Sequence, residues 1–60
     1  MFKVIAMTEN EVAERQATFS HRNDAELMAN TWANFHDLTR VFATDDMRLI
    51  SEISKVGTAA

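Results

Sequence analysis

Ser20 stands beside His21, and His36 beside Asp37. A hydroxyl, an imidazole and a carboxylate are the parts of a nucleophile, its base and the group that orients the base. Such a set works only when the serine is presented on a sharp turn, and no glycine-rich elbow surrounds Ser20. The plainer reading puts Ser20 and His21 in a polar turn and His36 near a helix end, where a cation is favoured. His21, Asp24, His36 and Asp37 are also the one set from which a metal site could be built, since three or four ligands must converge. A helix between them holds its two ends ~18–20 Å apart at 1.5 Å per residue, so they cannot share an ion. Asp45-Asp46 reads as a solvated turn rather than a ligand pair. With no cysteine, disulfides and thiolate sites are excluded, and with Gly57 the one glycine there is no phosphate-cradling loop. No cofactor is expected, and an enzyme is the least expected class.

The remaining candidates are surfaces rather than centres. Glu9, Glu11 and Glu14 form an acidic run that suits a soluble edge, a basic partner or a mimic of phosphates. Trp32 suits the core or a binding anchor; Met7, Met28 and Met47 suit core filling or an adaptable contact surface. The formal net charge is −3, and the basic residues Lys3, Arg15, Arg22, Arg40, Arg48 and Lys55 are scattered. A phosphate-tracking surface needs them clustered, so nucleic acid is not the expected partner. No apolar run approaches the ~20 residues of a membrane span, and the first residues lack the features of a signal peptide. A cytoplasmic protein with no membrane association is expected.

The elements that would position these groups follow from periodicity. In Asn23 to His36, Ala25, Met28, Trp32 and Phe35 recur at helical spacing, with Leu27 and Thr31 widening the stripe. Asn23 suits the N-cap, with Asp24 and Glu26 in the first turn. Residues 1–19 read as a hairpin turning at Glu9-Asn10, with Asn10 tolerating positive φ. It pairs Met7 with Val12 and Ala6 with Ala13, so that Phe2, Val4, Ala6, Ala13, Ala17 and Phe19 share a face interrupted by Arg15. A helix from Thr8, capped by Thr8-x-x-Glu11, is the weaker rival.

The segment 38–54 has two readings. As a hairpin turning at Asp45-Asp46 it sets Thr44 opposite Met47, Phe42 opposite Leu49, Val41 opposite Ile50 and Leu38 opposite Ile53. Leu38, Phe42, Met47, Leu49 and Ile53 then share one face, and Val41 and Ile50 the other. As a helix it is capped by Thr44 and closed by Gly57. The likeness of "KVIAMTENEVAE" to "RVFATDDMRLISE" favours two hairpins. The expected fold is α+β, a β-β-α-β-β chain in a single domain, 1–60. Its parts are a hairpin over 1–19, a helix over 23–37, a hairpin over 38–54 and a tail over 55–60, with one helix on a four-stranded antiparallel sheet. The alternative is an N-terminal hairpin followed by two helices. The expected core is Val4, Ala25, Met28, Trp32, Phe35, Phe42 and Leu49.

In the order of its elements, and in the shape of the final stretch "DLTRVFATDDMRLISEIS", the chain resembles the Dmd-like antitoxins of T-even bacteriophages. Those proteins neutralise host ribonuclease toxins by covering the active site. The resemblance implies a phage-type inhibitor or antitoxin that occludes a host protein in the host cytoplasm. It carries over no individual residue.

The residues themselves support a small non-catalytic protein-binding module. It would dock by the sheet face away from the helix, or by a strand edge. Ile5, Met7, Val12, Val41, Arg48 and Ile50 are the candidate partner-binding residues. A 60-residue chain with no disulfide also gains from pairing as a homodimer. The rival readings are a nucleic-acid-binding regulator using Lys3, Arg15, Arg40 and Arg48, and a structural homo-oligomer.

Overall fold

The computed structural model describes residues 1–54, which follow the order β1 (Phe2–Met7), β2 (Ala13–Phe19), α1 (Arg22–Trp32), β3 (Leu38–Ala43) and β4 (Arg48–Ser54). The β-β-α-β-β reading therefore holds, and the stretch after residue 38 is a hairpin rather than a helix. The tail 55–60, with the cap considered for Gly57, lies outside the described residues. All neighbouring strands are antiparallel, in the order β2-β1-β3-β4. β2 and β3 thus run parallel with β1 between them, and α1 is the crossover that joins them over β1.

The first hairpin closes at Thr8 and Val12, where the Thr8 N–H donates to the Val12 carbonyl at 2.9 Å and the Val12 N–H to Thr8 Oγ1 at 3.2 Å. Three residues, Glu9 to Glu11, make the loop. Glu11, not Asn10, takes the left-handed conformation, with φ 63°. A three-residue hairpin loop commonly ends in such a residue, and glycine is the usual occupant. The register therefore differs from the expected one: Met7 faces Ala13 and Ala6 faces Arg15. Glu14 is left over as a β-bulge on β2. The bulge moves Ala13 to the face opposite Ala17 and Phe19.

The second hairpin turns through Thr44–Met47 rather than Asp45-Asp46 alone. Met47 is left-handed, with φ 55°, and Asp46 Oδ1 accepts from the Arg48 N–H at 3.1 Å. Phe42 faces Leu49, as expected. Beyond that pair a bulge at Ile50 shifts the ladder, so Val41 faces Ser51, Thr39 faces Ile53 and Leu38 faces Ser54. Ile50 follows Leu49 onto the side of Val41, and the bulge returns Ile53 to that side as well. Both pack against the core, while Phe42 and Leu49 share the other face.

The helix starts earlier and ends earlier than its periodicity suggests. His21 is the extended N-cap and makes no side-chain cap. Asn23 is already inside the first turn, because β2 runs to Phe19 and leaves two residues for the connection. At the other end the Phe35 and His36 N–H groups both donate to the Trp32 carbonyl, at 2.9 and 3.0 Å. This tight turn takes Phe35 off the apolar stripe and leaves it 74% exposed. Leu27 also points outward.

The core consists of Val4, Ala6, Ala25, Ala29, Trp32 and Val41, with Phe2, Ala17, Phe19, Met28, Ile50 and Ile53 packed partly against it. Of the expected core, Val4, Ala25 and Trp32 are buried and Met28 is partly so; Phe35, Phe42 and Leu49 are not part of it. Small side chains dominate, which lets the helix lie close on β1. Arg15, which interrupts the apolar face of β2, stacks its guanidinium 5.0 Å above the Trp32 ring.

Trp32 is the largest side chain of the buried cluster. Trp32→Ala should cost about 3–5 kcal/mol, enough to unfold most of the population of a domain this size. Urea unfolding followed by far-UV circular dichroism reads it, and an unchanged midpoint would contradict the core. Thr39, fully buried on the helix side, leaves its Oγ1 without a hydrogen-bond partner. Thr39→Val keeps the shape and removes the unpaired hydroxyl, so the same measurement should show a gain of ~1–2 kcal/mol.

Candidate functional site

Helix α1 covers one face of the sheet and leaves the other open. The registers place three rows across that open face, read from β2 to β4. The first is Thr18, Lys3, Phe42, Leu49; the second Gln16, Ile5, Arg40, Glu52; the third Ala13, Met7, Leu38, Ser54. The third row is partly closed, since Met7 and Leu38 are buried. Ile5 and Phe42 are half-buried and Leu49 is 49% exposed. Met1 continues the first strand on this side, hydrogen-bonded through its carbonyl to Thr44, and is exposed. The result is an apolar band, Met1–Phe42–Leu49–Ile5, on a surface with no helix over it.

The charged groups on this face are arranged as a clamp. Arg40 Nε donates to Glu52 Oε2 at 2.5 Å, and Arg40 Nη1 donates to Glu11 Oε1 at 2.7 Å. Arg40 is on β3, Glu52 on β4 and Glu11 in the β1–β2 loop, so one guanidinium joins the two hairpins across the face. These two hydrogen bonds, Glu52 before Glu11, raise the Arg40 pKa above its ordinary value against desolvation, which lowers it. A raised guanidinium pKa gives a stabilisation present at all pH below the ordinary value and lost only as pH rises through the folded one. From the arginine side, the clamp is constant across physiological pH. Glu11, which supplies one of the two carboxylates, is also one of the two described non-glycine residues with positive φ, a conformation that carries a cost.

The edges of the sheet differ from its face. Both outer strands, β2 and β4, carry a bulge, at Glu14 and Ile50. A bulge bends a strand and breaks the regular ladder that a further strand would need. The open face, by contrast, keeps a regular ladder through β1 and β3 and carries the uncovered apolar band.

Of the candidate partner-binding residues, Ile5 and Met7 lie on the open face, Met7 already buried. Val12 is 60% exposed in the turn at the end of the face. Val41 is 1% exposed against the helix, and Ile50 packs with it, so both belong to the core. Arg48 pairs with Ala43, itself the partner of Phe2, and so lies on the helix side. Phe42 and Leu49 take the places expected for Val41 and Ile50. The signal for this was in Arg40: a charged residue cannot face the core unpaired, and Leu38 and Phe42 share its side by alternation.

The groups considered for chemistry stay apart. Ser20 and His21 lie at the start of α1 and are exposed. His36, beyond its far end, contacts Glu14 Oε1 through Nδ1 at 3.0 Å. Among the described residues no three histidines or carboxylates come together as metal ligands, and no pocket opens. No helix of the described residues is long and apolar enough to cross a membrane. Of the basic set Lys3, Arg15, Arg40 and Arg48, only Lys3 and Arg40 share the open face. Comparison with protein-family models, with curated proteins and with solved structures found no match.

If Arg40 ties the β1–β2 loop to β3, Arg40→Met should release that loop without unfolding the sheet. Amide hydrogen exchange at Thr8 and Glu11, whose N–H groups close the loop at 2.9 Å, should become several-fold faster, while Val41 is unchanged. Unaltered exchange at Thr8 and Glu11 would show that the clamp holds nothing.

Proposed function

We propose that this chain is a small non-catalytic protein-binding module that acts by occlusion, laying its helix-free sheet face on a target protein. The observation that supports this most is the apolar band Ile5–Phe42–Leu49 on an uncovered face between two bulged edges. Exposed apolar surface rimmed by polar groups is a mark of protein contact. Here Lys3, Gln16, Thr18 and Glu52 form the rim. Core-packed aromatics leave little for base stacking: Phe2 and Phe19 pack with the helix, and Trp32 lies beneath Arg15. Single-stranded RNA read on a sheet needs several such rings on the open face, and Phe42 is the aromatic that the registers put there. A phage-type inhibitor or antitoxin covering a host protein in the host cytoplasm is the role we assign, supported by the shape of the surface and by the resemblance in element order.

The test compares capture from host lysate by the immobilised wild-type chain, Leu49→Lys and Leu27→Lys, with and without nuclease. Leu49 is on the open face and Leu27 on the outer side of the helix, so either lysine should be tolerated by the fold. A protein retained by wild type and Leu27→Lys, lost with Leu49→Lys and indifferent to nuclease is the expected result. Capture insensitive to Leu49→Lys would contradict the proposed face. Binding to short oligonucleotides that weakens steeply with salt would replace the reading with a nucleic-acid regulator.

A further inference from the structure

We infer that, when no target is bound, the helix-free face is covered by the same face of a second copy of this chain. The inference rests on the protein-binding reading of that face and names its resting occupant. The core beneath the helix is thin, with Ala6, Ala25 and Ala29 among its six buried members. A chain this short has little other apolar area to bury. Of the apolar side chains left outside the core, Met1, Ile5, Phe42 and Leu49 are gathered on the open face, while Val12, Leu27, Phe35 and Met47 are exposed singly in the turns and on the helix. Two sheets stacked by these faces, about 10 Å apart, would make them a second core between two outer helices.

The charges fit a copy rather than a partner of one sign. Among side chains, Lys3 and Arg40 balance Glu11 and Glu52, so the face carries no large charge of one sign. They are also separated along the strands: Lys3 lies in the first row, the Glu11–Arg40–Glu52 clamp in the second row and at the β1–β2 loop. A two-fold axis lying between the sheets and running across the strands turns the Lys3 end of one copy over the Glu11 end of the other. The same rotation sets Phe42 and Leu49 of each copy over the row that contains Leu38 and Ser54 of its partner and Ile5 over Ile5, while Arg40 and Glu52, each meeting its own counterpart, stay neutralised by the ion pairs within their own chain. An isologous interface needs this self-complementarity. Strands of this length rise about 20 Å and four of them span about 19 Å, giving roughly 400–600 Å² per copy. That is the small end of specific interfaces, where association is weak and reversible. A target that buries the same side chains could therefore displace the second copy.

Sedimentation equilibrium over a dilution series tests this, on wild type, Leu49→Lys, Leu49→Glu and Leu27→Lys, with far-UV circular dichroism to confirm that each remains folded. The expected result is a micromolar monomer–dimer equilibrium for wild type and Leu27→Lys, and monomers for both Leu49 variants. A wild type that stays monomeric at the highest concentrations overturns the inference, as does a dimer indifferent to both Leu49 variants. Either outcome leaves the target reading standing if lysate capture still depends on Leu49, so the two failures are told apart.

Discussion

An eleven-residue helix can cover only one face of a four-stranded sheet. At 1.5 Å per residue it is about 16 Å long, and its width of about 10 Å spans little more than two strands set 4.8 Å apart. It lies chiefly over β1, then β3, then β2. β4 completes that side with Ile50 and Ile53 packed against the core. Everything else in the molecule follows from which side chains this helix covers. Those it does not cover must be polar, locally tied down, or available to another molecule. Met7, Leu38 and the Arg40 clamp answer the first two descriptions; Ile5, Phe42 and Leu49 answer the third.

The division between the two faces is set by two extra residues. Without the bulge at Ile50, simple alternation from Leu49 would keep Ile50 on the helix side but put Ile53 on the open face, halving the apolar contribution of β4 to the core. Without the bulge at Glu14, the carboxylate that meets His36 at 3.0 Å would point away from the helix. Both bulges sit on outer strands, so the devices that set the faces also make the edges poor templates for strand addition. The central strands β1 and β3 keep an unbroken register from Phe2–Ala43 to Met7–Leu38, and the single guanidinium of Arg40 joins the flanking elements across them.

Much of this architecture was legible in the sequence. The stripe Ala25, Met28, Trp32 specified a helix, and the paired apolar runs around "TEN" and "TDD" specified two hairpins. The register was not, because the loops carry no glycine to announce their left-handed residues. Glu11 and Met47 take that conformation instead, and the loop lengths change with them. A slip of one residue exchanges the faces of a strand. The slip moved Ala13 and Ile53 across the sheet. Val41 and Ile50 were expected on the open face and Phe42 and Leu49 in the core for a different reason, because the wrong face of a correctly paired Phe42–Leu49 hairpin was turned to the helix. Phe35 followed the helical period, but the turn closing on the Trp32 carbonyl ends the helix before it. The open face was legible as a surface through Ile5; the Glu11–Arg40–Glu52 clamp, built from three separate elements, left no local pattern to read.

The central claim is that the helix-free face is where this chain meets other protein. Intermolecular nuclear Overhauser effects in a concentrated sample mixed from isotope-labelled and unlabelled chains address it at atomic level. The account predicts cross-peaks between copies from the methyl groups of Ile5 and Leu49 and from the Phe42 ring, and none from Leu27 or Phe35. Cross-peaks confined to Leu27, Phe35 or the outer edges of β2 and β4 would contradict it, as would their absence from a sample that sediments as a dimer.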